Sequence, residues 1–328
     1  MSRIVSIGPA VEDIYLIDRD DLSAVDWNGQ SIFSGLSFGA TVDIDKAEYH
    51  VGGGGINAAV TFARYGHETI FMGNIARDIG GEAVLRCLDE ENIDSSYAEV
   101  VAGTTATRVL LVDARTGERT ELKFEGVAKT AKNLNPKDLE DIEPDWIYLA
   151  GFGGDMHKIL DLVERAHKLG AKIMWNPGIA ELRHTKKVLG LLSDVDVLLV
   201  NKVEAAKLVP GVILTELLAR LSNYCKTVII TDGIMGAIAT DHIETYRLGV
   251  YEQNKIKDIN GTGDAFGAGF LANFADSEDF ASALKYASAN AVRVAQRFGA
   301  QAGIMNGAEK LHQMPMVKIA NLSEWSIS

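Results

Sequence analysis

Basic residues are in short supply here. Against 45 Asp and Glu stand only 32 Lys and Arg, a formal net charge of −13 over 328 residues. Such a chain lacks the clustered cations that neutralise a polynucleotide backbone, so no nucleic-acid partner is expected. A small anionic ligand stays open, because backbone N–H groups and a metal ion can hold one with little help from net charge. Cysteine is scarcer still. Cys87 and Cys225, the only two, lie far apart among apolar neighbours. That excludes a disulfide framework or a zinc cluster and predicts two buried free thiols in a reducing cytosol. No run of 18 apolar residues exists, so no membrane span is expected. The N-terminus, MSRIVSIGPA, has no basic segment ahead of a long apolar run, which predicts no signal peptide and a cytoplasmic protein. The seven histidines, His157 and His167 among them, show no metal-ligand spacing. There is no Gly-Lys-Ser or Gly-Lys-Thr, which disfavours a Walker-type phosphate loop.

What is present is ordinary globular usage, 47% hydrophobic and 23% charged. Ile4 to Ile7 predicts a short strand. Alternation in Ile14-Tyr15-Leu16-Ile17 and in Thr41-Val42-Asp43-Ile44-Asp45 predicts strands with one wet face. Residues 19–39, rich in Asp, Ser, Gly and Asn, read as a long loop. Ile56, Ala59, Val60 and Ala63 have helical spacing, ended by Gly66. A hairpin turning at Ala114–Gly117 joins strands near 108–112 and 120–124. From residue 145 apolar strands at 146–150, 172–175, 196–200 and 227–231 alternate with helices near 155–169, 181–192, 202–208 and 213–223. That pattern predicts an α/β fold with a mostly parallel sheet covered on both faces. A hairpin at 235–249 and long helical stretches follow. No Pro- or Ser-rich linker divides the chain, so residues 1–328 read as one domain. Its small lid draws on about 12–51 and 97–126.

Three segments could carry chemistry. In Asp258 to Phe270, Gly261 and Gly263 allow tight turning ahead of a helix, and the first N–H groups of that helix favour an anion. A carboxylate there, Asp264, would repel a bound anion unless it accepts a proton from an attacking hydroxyl; otherwise it is a helix cap. Gly52 to Gly55 brings backbone close to a ligand or acts as a flexible turn, with Asn57 off the apolar face of the next helix. The acidic residue of a dinucleotide fingerprint, about 20 residues on, is missing. Asn201 and Glu204 fall at a helix start after an apolar strand, where they suit a water-bridged Mg²⁺ or a simple cap. Arg108, on a lid strand, suits the phosphate of a phosphosugar or is merely solvated. Gly35-Leu36-Ser37-Phe38-Gly39 matches a hydrolase nucleophile pattern but lacks the strand-to-helix context.

In this order and spacing the segments resemble the ribokinase-like (PfkB) carbohydrate kinases, from the first strand to about residue 303. Gly52-Gly53 through Asn57 and Ala59 resembles the first signature, Asp258 through Asp264 the second, and Asn201 with Glu204 the Asn-x-x-Glu motif. The resemblance implies a doubly wound α/β domain with a β-sheet lid, and transfer of the ATP γ-phosphoryl to a sugar hydroxyl. It implies a base at Asp264 and an anion hole at Gly261, Thr262 and Gly263. Substrate contacts would come from Asp13, Gly53, Gly54, Asn57 and Arg108. The nucleotide region would include Asn201, Thr231, Gly233 and Asn290, with Glu204 and Asp258 toward metal. ATP, Mg²⁺ and a monovalent cation are the implied cofactors. Ile259 departs from the family's Thr and offers no hydroxyl to such a cation; Thr262 stands where Ala is usual. Trp175-Asn176-Pro177 is similar to an Asn-Pro pair of ribokinases. Nucleoside kinases share the signatures, and Phe33, Phe38 and Tyr49 are candidate lid aromatics for a base. A lid-to-lid homodimer is a family habit. The rival of another class is a non-catalytic sugar or nucleotide sensor on the same fold.

Overall fold

The computed structural model describes residues 1–18, 24–27, 30–33, 39, 41–252, 256–307 and 309–320, with the backbone alone for 24–27 and 30–33. The first half of the chain runs β1 (Arg3–Ile7), β2 (Val11–Asp18), β3 (Ala24–Trp27), β4 (Gln30–Phe33), β5 (Lys46–Gly52), α1 (Gly54–Tyr65), β6 (Glu68–Met72), β7 (Asn74–Ala76), α2 (Ile79–Glu90), β8 (Glu99–Val101), β9 (Ala106–Asp113), β10 (Arg119–Phe124) and α3 (Leu139–Ile142). The second half runs β11 (Trp146–Leu149), α4 (Met156–Leu169), β12 (Lys172–Trp175), α5 (Ile179–Leu182), α6 (Thr185–Leu191), β13 (Val197–Asn201), α7 (Lys202–Leu208), α8 (Leu214–Leu221), β14 (Thr227–Thr231), β15 (Ala237–Thr240), β16 (Thr245–Leu248), α9 (Thr262–Ser277), α10 (Phe280–Ala295) and β17 (Met316–Lys318).

Continuous apolar strands must be buried on both faces, and here they are. Side chains of one parity, such as Ile7, Leu149, Trp175, Leu198 and Ile230, pack with Ile159 and Leu162 of α4, Val188 of α6 and Leu217 of α8. Those of the other parity, such as Ile4, Tyr148, Met174, Leu199 and Ile229, pack with Phe62 of α1, Phe270 of α9 and Leu284 of α10. The sheet order is β17-β16-β15-β14-β13-β12-β11-β1-β6, parallel from β6 to β14 and antiparallel beyond. Chain order reverses at β1, which has β6 on one side and β11 on the other. Ligands of open α/β sheets bind at the carboxyl ends of the strands at such a reversal. No described helix is long and apolar enough to cross a membrane.

A second sheet, β10-β9-β2-β5, forms the small layer over the first. Pairing puts Asp13 opposite both His50 and Arg108, and Arg108 opposite Lys123. The adjacent row, Tyr49, Ile14, Val109 and Leu122, points to the other face by strand alternation. The inward face seats Tyr15, Ile17, Leu110 and Val112 on Phe298 of the large domain.

Three expectations change. The strand predicted from Thr41 begins only at Lys46, which pairs with Ile17, one residue short of the last described residue of β2. Residues 19–39 are not wholly loop, since β3 and β4 pair as a hairpin. The remainder of that stretch, including Ser37 and Phe38, lies outside the described residues, as does the side chain of Phe33. The helix predicted over 181–192 is split into α5 and α6. Glu181, fully buried, takes N–H bonds from Phe152 at 2.7 Å, Gly154 at 2.7 Å and Gly178 at 2.8 Å, which ties the first turn to the loop after β11.

Asn290 is a brace inside the fold, which corrects its assignment to the nucleotide. It has no exposed surface; its Nδ2 donates to Ala265 O at 2.8 Å and its Oδ1 accepts from Met305 N at 2.9 Å. Nothing of it remains to face a ligand. Asn290→Ala should therefore lower unfolding free energy by about 2–4 kcal/mol, by stranding a buried N–H and a buried carbonyl. Urea unfolding measures this, and a variant as stable as wild type would contradict the bracing role.

Candidate active site

The turn ahead of α9 requires glycine. Gly261 holds φ at +73°, and a Cβ there would fall 2.4 Å from that of Ala300. No side chain of a described residue caps the helix. Thr262 N–H turns back to Ile259 O at 3.3 Å, and Ala265 N–H reaches Gly261 O at 2.8 Å. Between them, the N–H groups of Gly263 and Asp264 find no acceptor among the described residues. A Cβ on Gly263 would meet nothing within 4 Å, so the space before these donors is open. Orphan donors with a helix dipole behind them favour an anion. Of the expected donors Gly261, Thr262 and Gly263, Thr262 spends its N–H within the turn, Gly261 and Gly263 find no acceptor among the described residues, and Asp264 joins them.

Asp264 stands beside those donors, only partly open to solvent. Its Oδ2 accepts Asn57 Nδ2 at 2.9 Å, and Gln301 Nε2 in turn donates to Asn57 Oδ1 at 3.3 Å. Its Oδ1 accepts no hydrogen bond from any described residue. A Cβ on Gly54 would lie 3.4 Å from that oxygen and 3.0 Å from the Cβ of Ala150, so the glycine keeps the approach clear. Gly53, at φ +98°, turns the chain from β5 into α1. Burial raises the Asp264 carboxyl above the ordinary value, the Asn57 bond and the Arg108 charge oppose this, and the Asp13 charge adds to it.

Behind the opening lies a buried ionic network. Arg108 grips Asp13 with two bonds, Nε to Oδ1 at 2.6 Å and Nη2 to Oδ2 at 2.8 Å, and its Nη1 donates to Asn260 Oδ1 at 3.0 Å. Asn260 Nδ2 donates to Asp13 Oδ2 at 3.0 Å and to the Tyr15 hydroxyl oxygen at 3.1 Å. Tyr15 donates to Asp258 Oδ2 at 2.5 Å. Asp258 Oδ2 also accepts Gly299 N–H at 3.4 Å, while its Oδ1 accepts Asn260 N–H at 2.9 Å and pairs with Arg119 Nη1. Burial pushes Asp13 upward despite Arg108, and burial with the Asp258 bond pushes Tyr15 upward.

Two assignments need correction here. Asp13 has no exposed surface and lies beneath Arg108 and Asn260, so it faces no acceptor directly. Asp258 is not free for a metal. A carboxylate has about four lone-pair sites, and four donors fill them. Arg108 keeps some exposure, but its charge is matched by Asp13.

Of the predicted nucleotide residues, Asn201, Thr231 and Gly233 gather at neighbouring strand ends. Asn201 and Thr231 pair across β13 and β14. Asn201 Oδ1 accepts Glu204 N–H at 2.9 Å and Glu204 Oε2 accepts Asn201 N–H at 2.9 Å, a reciprocal helix cap. Gly233, at φ +54°, has open space around it, and Ile234 and Met235 beside it are exposed. Lys202 Nζ reaches Asp232 Oδ2 at 3.6 Å across the two loops. No cluster of three His, Cys, Asp or Glu fit for a metal exists among the described residues. Glu204, raised by burial, bonds no described residue through Oε1 and fits an ion held mainly by phosphates and water. Asn176 is a strand brace, donating to Leu199 O at 2.9 Å. Sequence reasoning missed Tyr15, Arg119, Asn260 and Gln301; strand parity could have placed Tyr15 and Arg119 on one lid face. A surface depression lined by Ser2, Asp145, Trp146 and Asp276 sits at the opposite, amino ends of the strands and shares no residue with this site.

The profile described as "pfkB family carbohydrate kinase" matches residues 1–306. The chain is 27% identical over 256 residues to a ribokinase of Bacillus subtilis, covering 77% of this chain and 84% of that one. It is 27% identical over 256 residues to an ATP-dependent ribose-1-phosphate kinase of Halopiger xanaduensis, covering 76% and 82%. Arabidopsis thaliana ribokinase, solved with ribose and ATP, superposes with a TM-score of 0.77 at 20% identity, over 93% of this chain and 96% of that one.

The electrostatics predict the titration of Asp264. Its midpoint should lie above the ordinary carboxylate value of about 4. Asn57→Ala removes a bond that favours the charged form, so the midpoint should rise further and ionisation should be lost at a higher pH on acidification. Carboxyl ¹³C NMR reads both values. A midpoint that falls in the variant would refute this account.

Proposed function

This chain belongs to the pfkB family of carbohydrate kinases, and from that premise we propose that it transfers the γ-phosphoryl of Mg²⁺-ATP to a hydroxyl of an uncharged sugar, with Asp264 as the base. The observation that carries the reading is Asp264 Oδ1, beside two helix N–H groups that find no acceptor among the described residues, at the reversal of strand order. Asp264 Oδ1 takes the proton as the hydroxyl oxygen attacks phosphorus and the bond to ADP breaks. The N–H groups of Gly263 and Asp264 stabilise the charge that grows on the transferring group. Asn57 holds the carboxylate in place and favours its charged form. Asn201, Glu204, Thr231 and Gly233 would hold nucleotide and metal, and Ile234 and Met235 offer apolar surface to a base. Bound Mg²⁺ supplies neutralisation of phosphate charge.

The Asp13–Arg108 pair supports an uncharged acceptor over a phosphosugar. The guanidinium that would greet a phosphate is already matched by a carboxylate in a two-point grip. Tyr49 is 68% exposed on the outward lid face, so it offers a nucleoside base no wall near Asp264. The free thiols Cys87 and Cys225 suit a cytoplasmic setting.

The deciding experiment is ADP release with Mg²⁺-ATP over pentoses, hexoses, sugar phosphates and nucleosides. One neutral sugar should stimulate release, and Asp264→Asn should cut that rate about 10²–10⁴-fold while ATP binding by calorimetry persists. Stimulated release that survives Asp264→Asn would sink the assignment of the base. We further take the outward lid face, with Tyr49, Leu122 and Phe124 exposed, as the one on which two copies pair. Light scattering should then give a dimer for wild type and a monomer for Leu122→Asp; a wild-type monomer would refute the pairing.

A further inference from the structure

A buried carboxylate needs a counter-charge, and the turn before α9 depends on one. Asp258 has a side chain only 2% exposed, yet it holds the N–H groups of Asn260 and Gly299 and so fixes the two loops that meet at Gly261 and Ala300. An inorganic monovalent cation is one way to satisfy such a group. This chain offers it poorly. Ile259 brings no oxygen ligand from its side chain, which is 60% exposed. All four acceptor positions of Asp258 are taken, and the charged partner among them is Arg119, delivered from lid strand β10. The same face carries Asp13 with its own guanidinium, Arg108, so both buried carboxylates of the network are matched by arginines of the chain itself.

We propose that Arg119 is a built-in counter-cation that replaces a monovalent metal ion at Asp258, and that it is a positioning residue for the turn bearing the anion-binding N–H groups. The residues present do not fit an additional cation at this point: it would find no open carboxylate oxygen and would lie against a guanidinium. The activity arm of the test rests on the kinase reading; the thermal arm does not.

The test compares the full chain, Arg119→Ala and Arg119→Lys in potassium chloride and in choline chloride at equal ionic strength, by thermal unfolding and by acceptor-stimulated ADP release. Wild type should give the same midpoint and the same rate in both salts. Arg119→Ala should lose on the order of 5–10 °C in choline, and potassium should recover part of both midpoint and rate. Arg119→Lys keeps the charge and should stay indifferent to the salt. A wild-type midpoint or rate that rises with potassium over choline overturns the proposal, and needs no variant to be read. An Arg119→Ala protein that matches wild type in choline overturns it as well. If wild type turns over no acceptor, the kinase reading falls and the thermal comparison alone decides the role of Arg119.

Discussion

Burying charge is the constraint on which the rest of this site depends. Asp13 and Asp258 lie on opposite sides of the seam between lid and large domain, and each is neutralised by a lid arginine. Removing one partner of such a pair costs roughly 3–5 kcal/mol, because the other is left charged in a poor solvent. Asn260 and Tyr15 connect the two pairs, so they form one network. The small sheet therefore does more than pack on the large one. Its position fixes the electrostatic state of the turn that presents Gly263 and Asp264.

The large domain contributes geometry. Reversal of strand order at β1 opens the sheet where Gly8, Gly54 and Ala150 crowd together, and absent side chains let α1 and α9 bring Asn57 and Asp264 to the same point. A Cβ on Gly55 would lie 2.7 Å from the Gly8 carbonyl carbon, and one on Gly54 would narrow the way to Asp264. Glycine at these positions brings helix starts close to a strand end, and the meeting of Asn57 with Asp264 follows from that approach.

Much of the architecture was legible because burial leaves a periodic trace. The strands from 146 to 231 and the helices between them could be read from apolar runs and spacing alone. Asp264, Asn57 and Gly54 were legible because short motifs put them at element boundaries. Asn290, Asp13 and Asp258 were misread for a common reason: a polar side chain looks the same in sequence whether it faces a ligand or a buried partner. Arg119 and Tyr15 were invisible because their importance arises from partners 139 and 243 residues away. The start of β5 was misplaced because alternation reports a wet face, whereas a strand also needs a neighbour to pair with.

The short strand β17 has a consequence for life in a crowded solution. An open sheet edge is a template on which another chain can add, and long flat edges invite aggregation. Here the edge beyond β16 is closed by three residues only, and Lys318 ends them in an ion pair with Glu244. At the other edge, β6 is partly covered by Asp94, which exchanges backbone bonds with Thr69 and Phe71 at 2.9 Å. A nine-stranded sheet is thereby kept from growing a tenth strand from a neighbour.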